Sequence, residues 1–254
     1  MRRVGRIILR MPFHPFVLIL LVFTGFFTFY WVALILGAVT TAFRILGLTA
    51  TQGLMIATGM LFFSIILSAV DVVVYRVEKP FSELEMEFTT VFGIPYPVPR
   101  LRLTTKEMLV TVNVGGAIIP LAISASMIYL LSLKPDAAPA FAAMLLTTMV
   151  VTLVSYYFSR IVPGVGIVLP AFLPPMVSGL ATVAFTGVLG VLKYALPVAY
   201  VGAVLGTLIG ADLLNLAKYL DRLEAPLVSI GGAGTFDGIY LSGIIALVFT
   251  LFLT

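Results

Sequence analysis

The chain has 254 residues, of which 61% are hydrophobic and only 10% charged, with a mean hydropathy of +1.17. A soluble domain of this length carries about a quarter charged residues, so a soluble enzyme, a disordered chain and a nucleic-acid-binding domain are all excluded. There is no cysteine and one histidine, His14. That removes disulfides, thiolate chemistry, His-based zinc sites and most Ser–His arrangements.

What remains is an all-α polytopic membrane protein. A spanning helix needs about 20 mostly apolar residues. Seven stretches meet this in chain order: 16–39, 52–75, 108–133, 139–159, 171–192, 195–217 and 237–254. They predict a single transmembrane domain over 1–254. The first is too long for a signal-peptide core and reads as a retained anchor.

Orientation follows from the basic residues of the connecting segments. With the N-terminus in the cytoplasm, twelve of the fifteen Lys and Arg fall on the inner side, from Arg2 through Arg222. Only Arg44, Lys134 and Lys193 fall outside. The excess of basic over acidic residues is therefore topology rather than a nucleic-acid footprint. It predicts an inner N-terminus and an outer C-terminus.

Two segments break the pattern. Residues 76–107 form a polar insertion in which Glu83, Glu85 and Glu87 alternate with Leu84, Met86 and Phe88. This period of two, followed by Gly93 and Pro95-Tyr-Pro-Val-Pro99, fits either a short cytoplasmic β-hairpin against the membrane surface or an amphipathic linker. Residues 162–175 are apolar but broken by Pro and Gly. They fit a re-entrant loop, which must be buried in protein or line a wet cavity, or a tight turn.

Ionisable groups at bilayer depth cost roughly 2.5–3.5 kcal/mol each, so each needs a reason. Asp71 near the end of the second span is expected to snorkel or to pair with Arg76. Asn113 precedes Gly115-Gly116 and Pro120 and is expected to satisfy backbone groups freed by the proline. Asp212 and Asp237 are expected together, at the inner ends of the sixth and seventh spans. Asn215 follows Asp212 by three residues and shares its helix face. Gly202, Gly206 and Gly210 form a stripe for close helix packing on another face. Gly231, Gly232 and Gly234 precede Asp237 and let another chain approach closely.

Two carboxylates at one depth suit activation of water against a peptide bond, one as acid and one as base. They equally suit coordination of an ion. A structural alternative has Asp237 capping the last helix and Asp212 paired with Lys218.

The runs Asn113-Val-Gly-Gly-Ala-Ile-Ile-Pro120, Gly210-Ala-Asp-Leu-Leu-Asn-Leu216 and Val228-Ser-Ile-Gly-Gly-Ala-Gly-Thr-Phe-Asp-Gly238 resemble the prokaryotic membrane family known as domain of unknown function 1614, over roughly residues 60–254. The resemblance implies a multi-pass protein of a prokaryotic cell membrane and supplies no activity. A shorter similarity is mechanistic. Ala211-Asp212-Leu213 and Gly232-Ala-Gly-Thr-Phe-Asp-Gly238 are similar to the two Asp motifs of the presenilin and signal-peptide-peptidase proteases. Here Ala211 stands in place of a tyrosine, and Thr235-Phe236 separate the glycines from Asp237. That similarity implies Asp212 and Asp237 as catalytic residues.

The expected function is thus an intramembrane aspartyl-protease-like hydrolase. Asp212 and Asp237 would be its catalytic pair, with Gly231, Gly232, Gly234, Asn215 and Asn113 toward the substrate. The alternatives are an ion- or proton-coupled transporter using the same acids and a structural membrane subunit. No cofactor, metal or nucleic acid is expected. The expected partners are the bilayer and a transmembrane peptide.

Overall fold

In a computed structural model, residues 15–91, 94–162, 166–219 and 227–254 are described. Arg2, Arg3, Arg6, Arg10, His14 and Arg222 lie outside them, as do Pro163, Gly164 and Val165.

Among the described residues, seven apolar helices carry the fold. They are α1 (Pro15–Ile45), α2 (Ala50–Leu67), α3 (Val114–Ser132), α4 (Ala137–Phe158), α5 (Leu173–Val188), α6 (Leu192–Tyr219) and α7 (Gly238–Leu253). Five of them, α1, α2, α3, α4 and α6, are long and apolar enough to cross a membrane. The helices α5 and α7 have 16 residues each. At 1.5 Å per residue that is about 24 Å, short of the roughly 30 Å hydrocarbon core.

The central helix is α6, buried at every position of Ala195–Thr207 except Leu205. Its small residues explain why. Lipid is as apolar as the protein interior, so helices associate through close packing. A Cβ on Gly202 would meet Thr147 at 2.6 Å, and one on Gly206 would meet Val151 at 2.6 Å. The glycine stripe therefore packs on α4, away from Asp212. On the other side Gly243 of α7 gives room to Val204 and Tyr200. The lipid-facing surface is apolar, as along Phe16 to Val32 of α1.

The sheet is larger than the sequence suggested. β1 (Asp71–Val91) and β2 (Ile94–Asn113) form one antiparallel hairpin. Its register runs from Asp71 opposite Asn113 to Val91 opposite Ile94. The expected second span therefore ends at Leu67 rather than 75, and the expected third begins at Val114 rather than 108. The runs Asp71-Val-Val-Val-Tyr75 and Met108-Leu-Val-Thr-Val-Asn113 are apolar but rich in β-branched residues, which favour strands. The polar insertion is thus the outer part of a hairpin rooted in apolar strand. The first span likewise lengthens to Ile45. Thr49 and Gln52 close a capping box that starts α2, with Oγ1 of Thr49 accepting from Gln52 N at 3.2 Å and Oε1 of Gln52 accepting from Thr49 N at 2.9 Å.

The segment around 162–175 contains a second hairpin, β3 (Arg160–Val162) with β4 (Gly166–Val168), before α5 begins. The last strand, β5 (Leu227–Ile230), pairs parallel to β2 over Leu109–Val112. The first sheet is therefore ordered β1-β2-β5, with β5 at an edge.

These elements divide between two ends of the bundle. At one end Gly47 (φ +102°) lies against the Lys134 ammonium, and Lys193 pairs with Asp136 at 2.5 Å. At the other end are the strands and the start of α7.

Candidate functional site

A cavity of about 410 Å³ opens at the strand end of the bundle. Its walls come from α6 (Thr207, Ala211, Asp212), from β5, from Ile167–Leu169 at and after β4, and from the turn that leads into Asp237. Asp212 and Asp237 both line it.

Each acid is placed by a different device. Asp212 sits in a π-helical stretch, Leu208–Leu213, inserted into α6. A π turn shifts the hydrogen bonding by one residue and leaves carbonyls to be satisfied otherwise. Asn215 does this: its Nδ2 donates to Gly210 O at 3.0 Å and to Ala211 O at 3.1 Å. Asn215 is buried and points back along its own helix rather than lining the cavity. Lys218 does not pair with Asp212; its ammonium donates to the Tyr156 hydroxyl at 2.8 Å.

Asp237 is the N-cap of α7. Its Oδ1 accepts from Ile239 N at 2.9 Å, and its Oδ2 accepts from Ala233 N at 3.5 Å. Capping fixes the carboxylate at a helix N-terminus, where negative charge is favoured. It leaves Asp237 on the cavity wall, so the cap and a site role coexist.

The glycines divide. Gly232 lines the cavity. Gly231 (φ +74°) and Gly234 (φ +62°) shape the turn instead. A Cβ on Gly116, in the opening turn of α3, would run into the carbonyl oxygens of both. Asn113 is the fully buried junction between β2 and α3. Its Oδ1 accepts from Gly116 N at 2.8 Å, and its Nδ2 donates to Ser68 O at 2.8 Å. It holds backbone together beneath the turn and is not on the cavity wall.

Two residues outside the expected set belong to the site. Thr207 is buried and lines the cavity, and its hydroxyl has no partner among the described residues. It lies five residues before Asp212, with no motif to mark it. Ser229 also lines the cavity, and its hydroxyl donates to Asp71 Oδ1 at 2.5 Å. Asp71 therefore opens β1 and fastens the sheet, accepting from Thr111 Oγ1 at 3.3 Å as well. It is not paired with Arg76, which lies 3.9 Å from Glu107.

Apolar helices long enough to span, packed through glycines around a cavity that holds two acids, define an integral membrane protein. The profile of the family described as "Protein of unknown function (DUF1614)" matches residues 65–249. The chain belongs to that family. The matched region holds the hairpin, both Asp residues and the turn before α7, while α1 and most of α2 precede it. No curated protein and no solved structure matches the chain.

Proposed function

We propose that the protein is an intramembrane aspartyl hydrolase that cleaves a peptide bond, with Asp212 and Asp237 as its catalytic pair. The observation that carries this is the convergence of the two carboxylates, from separate helices, on one cavity. Hydrolysis needs one acid ionised and one protonated, a state that repulsion between neighbouring carboxylates favours. The ionised one takes a proton from water as its oxygen bonds to the carbonyl carbon. The protonated one donates to the carbonyl oxygen. When the C–N bond breaks, the proton held by the first passes to the leaving nitrogen.

The substrate is an extended stretch of a membrane-spanning peptide. β5 lies on the cavity wall and has a free edge among the described residues. Gly232 beside it gives a backbone room to approach. The positive-inside count puts this end of the bundle in the cytoplasm. All seven apolar helices then cross the membrane, α5 and α7 where protein rather than lipid surrounds part of their length.

The test is cleavage of a quenched-fluorescent single-span peptide in proteoliposomes. Asp212→Asn and Asp237→Asn should each lower the rate at least about 10²-fold, the scale of general acid–base catalysis. Unchanged cleavage in either variant overturns the reading.

A second reading is an ion- or proton-coupled transporter. It is favoured by the oxygen-rich lining of Thr207, Asp212, Ser229 and Asp237, which suits a hard cation. Na⁺- or pH-driven flux lost in the same variants, with no cleavage by the wild type, would establish it instead.

A further inference from the structure

The hairpin β1–β2 is much longer than its contact with the rest of the protein. Among the described residues, its base packs: Met108 and Val110 are buried with Val228 of β5, and Val77 and Leu216 lie against them. Beyond that, the register continues for more than ten residue pairs to Val91 opposite Ile94. At about 3.3 Å per residue this outer ribbon is over 30 Å long. A two-stranded ribbon by itself is at best marginally stable in water, so something must cover it.

The register assigns its residues to two faces. On one face Leu84 stands opposite Leu101, Met86 opposite Pro99, and Phe88 opposite Pro97. The other face carries Glu83 opposite Arg102, Glu85 opposite Arg100, Glu87 opposite Val98 and Thr89 opposite Tyr96, so every charged position of this stretch falls on it, with Val98 and Tyr96 beside them toward the tip. By its register the ribbon is amphipathic, and its apolar face is open at the described residues. Met86 is 64% exposed and Phe88 68% exposed.

The prolines limit what can cover it. Pro95, Pro97 and Pro99 occupy alternate positions of β2. Proline has no N–H, so it occupies the positions of a ladder that do not bond to the partner strand. Those positions look outward along the free edge of β2. That edge thus lacks three donors in a row and is blunted against an added strand. An apolar face is left, beside a β2 edge that resists pairing.

Charge narrows the choice further. Residues 76–107 carry five basic and five acidic side chains, a net charge of zero. An anionic polymer or an acidic surface therefore has little to attract it. Both strands spring from helices long enough to span the membrane, α2 before β1 and α3 after β2. The ribbon thus starts at the bilayer surface, and Val74, the extra residue between Val73 and Tyr75 in the register, bends it near its root.

We infer that the outer hairpin lies on the surface of its own bilayer, with the face of Met86 and Phe88 in the headgroup–acyl boundary and the opposite face toward water. The covering partner is a lipid surface, held by apolar contact and independent of lipid charge. The ribbon would then brace the base of the sheet, and with it β5 on the cavity wall.

The Cys-free chain allows a direct test on the full-length protein in nanodiscs. Spin labels at Phe88→Cys and Glu87→Cys report the two faces, and Met86→Cys repeats the apolar one should position 88 perturb folding. Collision with oxygen against a water-soluble nickel chelate should favour oxygen several-fold at 88 and 86 and the chelate at 87. The ratios should be the same in phosphatidylcholine and in phosphatidylcholine–phosphatidylglycerol. Equal chelate access on both faces overturns the inference. So does contact only in the anionic nanodiscs. Spin–spin broadening between protomers, with position 88 shielded from both reagents, also overturns it and points to a second copy.

Discussion

The Ser229 hydroxyl donates to Asp71 Oδ1 at 2.5 Å, joining residues 158 positions apart in the chain. Asp71 is the first residue of β1, and Ser229 lies in β5 on the cavity wall. The bond therefore couples the root of the hairpin to the proposed site. The short parallel pairing of β5 with β2 covers only four residue pairs, so this side-chain bond matters to it. A side-chain hydrogen bond contributes about 0.5–1.5 kcal/mol. Ser229→Ala should thus raise amide hydrogen exchange in Leu227–Ile230 about two- to tenfold, while exchange in α6 stays unchanged. Unaltered exchange in β5 would show that the backbone pairing suffices.

The helices were legible because a bilayer imposes a simple rule on composition, and the interior stretches of all seven fall within the expected ones. The errors cluster where apolar residues build a strand instead. Met108 to Val112 satisfies hydropathy as well as any helix does. Its β-branched residues favour a strand, but its pairing with Val72–Val77 and with β5 fixes it as one, and hydropathy carries no signal for a partner 118 residues away. The two acids were singled out by their cost and depth, and both line one cavity. The π stretch that holds Asp212 was not, because Asn215 reads equally as a face-sharing polar neighbour. Thr207 was silent for a similar reason: a threonine in a membrane helix usually bonds to its own backbone, as Thr186 does to Thr182 O.

Thr207 gives the second prediction. Its hydroxyl is buried, lacks a partner among the described residues, and shares the cavity with both carboxylates. If it orients the attacking water, Thr207→Val should lower peptide cleavage about tenfold, the worth of one hydrogen bond of about 1.4 kcal/mol. Melting temperature should not fall, since valine keeps the shape. Thr207→Ser should restore most of the rate. A Val variant as active as wild type would leave Thr207 with packing alone.

Gly116 and Gly59 make a paired prediction about packing. A Cβ on Gly116 meets the carbonyl oxygens of Gly231 and Gly234, which are backbone atoms with no easy way to move. Gly116→Ala should destabilise by about 1–3 kcal/mol, the usual cost of overpacking, and should disturb the turn before Asp237. On Gly59, in α2, the nearest atom to a Cβ is Phe63 at 3.9 Å. There Gly59→Ala should be neutral or stabilise by about 0.5–1 kcal/mol, through the helix preference of alanine. Thermal unfolding in detergent would rank the two; equal melting points would refute the close approach at Gly116.

The final prediction concerns the opposite end of the bundle and acid. Asp136 accepts a hydrogen bond from the Tyr194 hydroxyl at 2.6 Å and pairs with Lys193. The Lys193 ammonium first, and the Tyr194 hydroxyl second, hold the Asp136 carboxyl below its usual range. A carboxyl whose pKa is lower in the folded state stabilises the fold above its unfolded pKa, about 3.9, and loses that contribution as the pH falls through the folded value. Asp136 lies just before α4, and Lys193 and Tyr194 lie at the start of α6, so the cluster ties two interhelical connections together. Wild type should therefore unfold at a higher temperature than Asp136→Asn at pH 6. The gap should narrow as the pH drops below about 4, because protonation turns the wild-type carboxylate into a neutral group as well. Lys193→Met should remove most of the same gap at pH 6. A wild-type advantage that persists undiminished below pH 3 would mean that the Asp136 charge does not contribute to holding these connections.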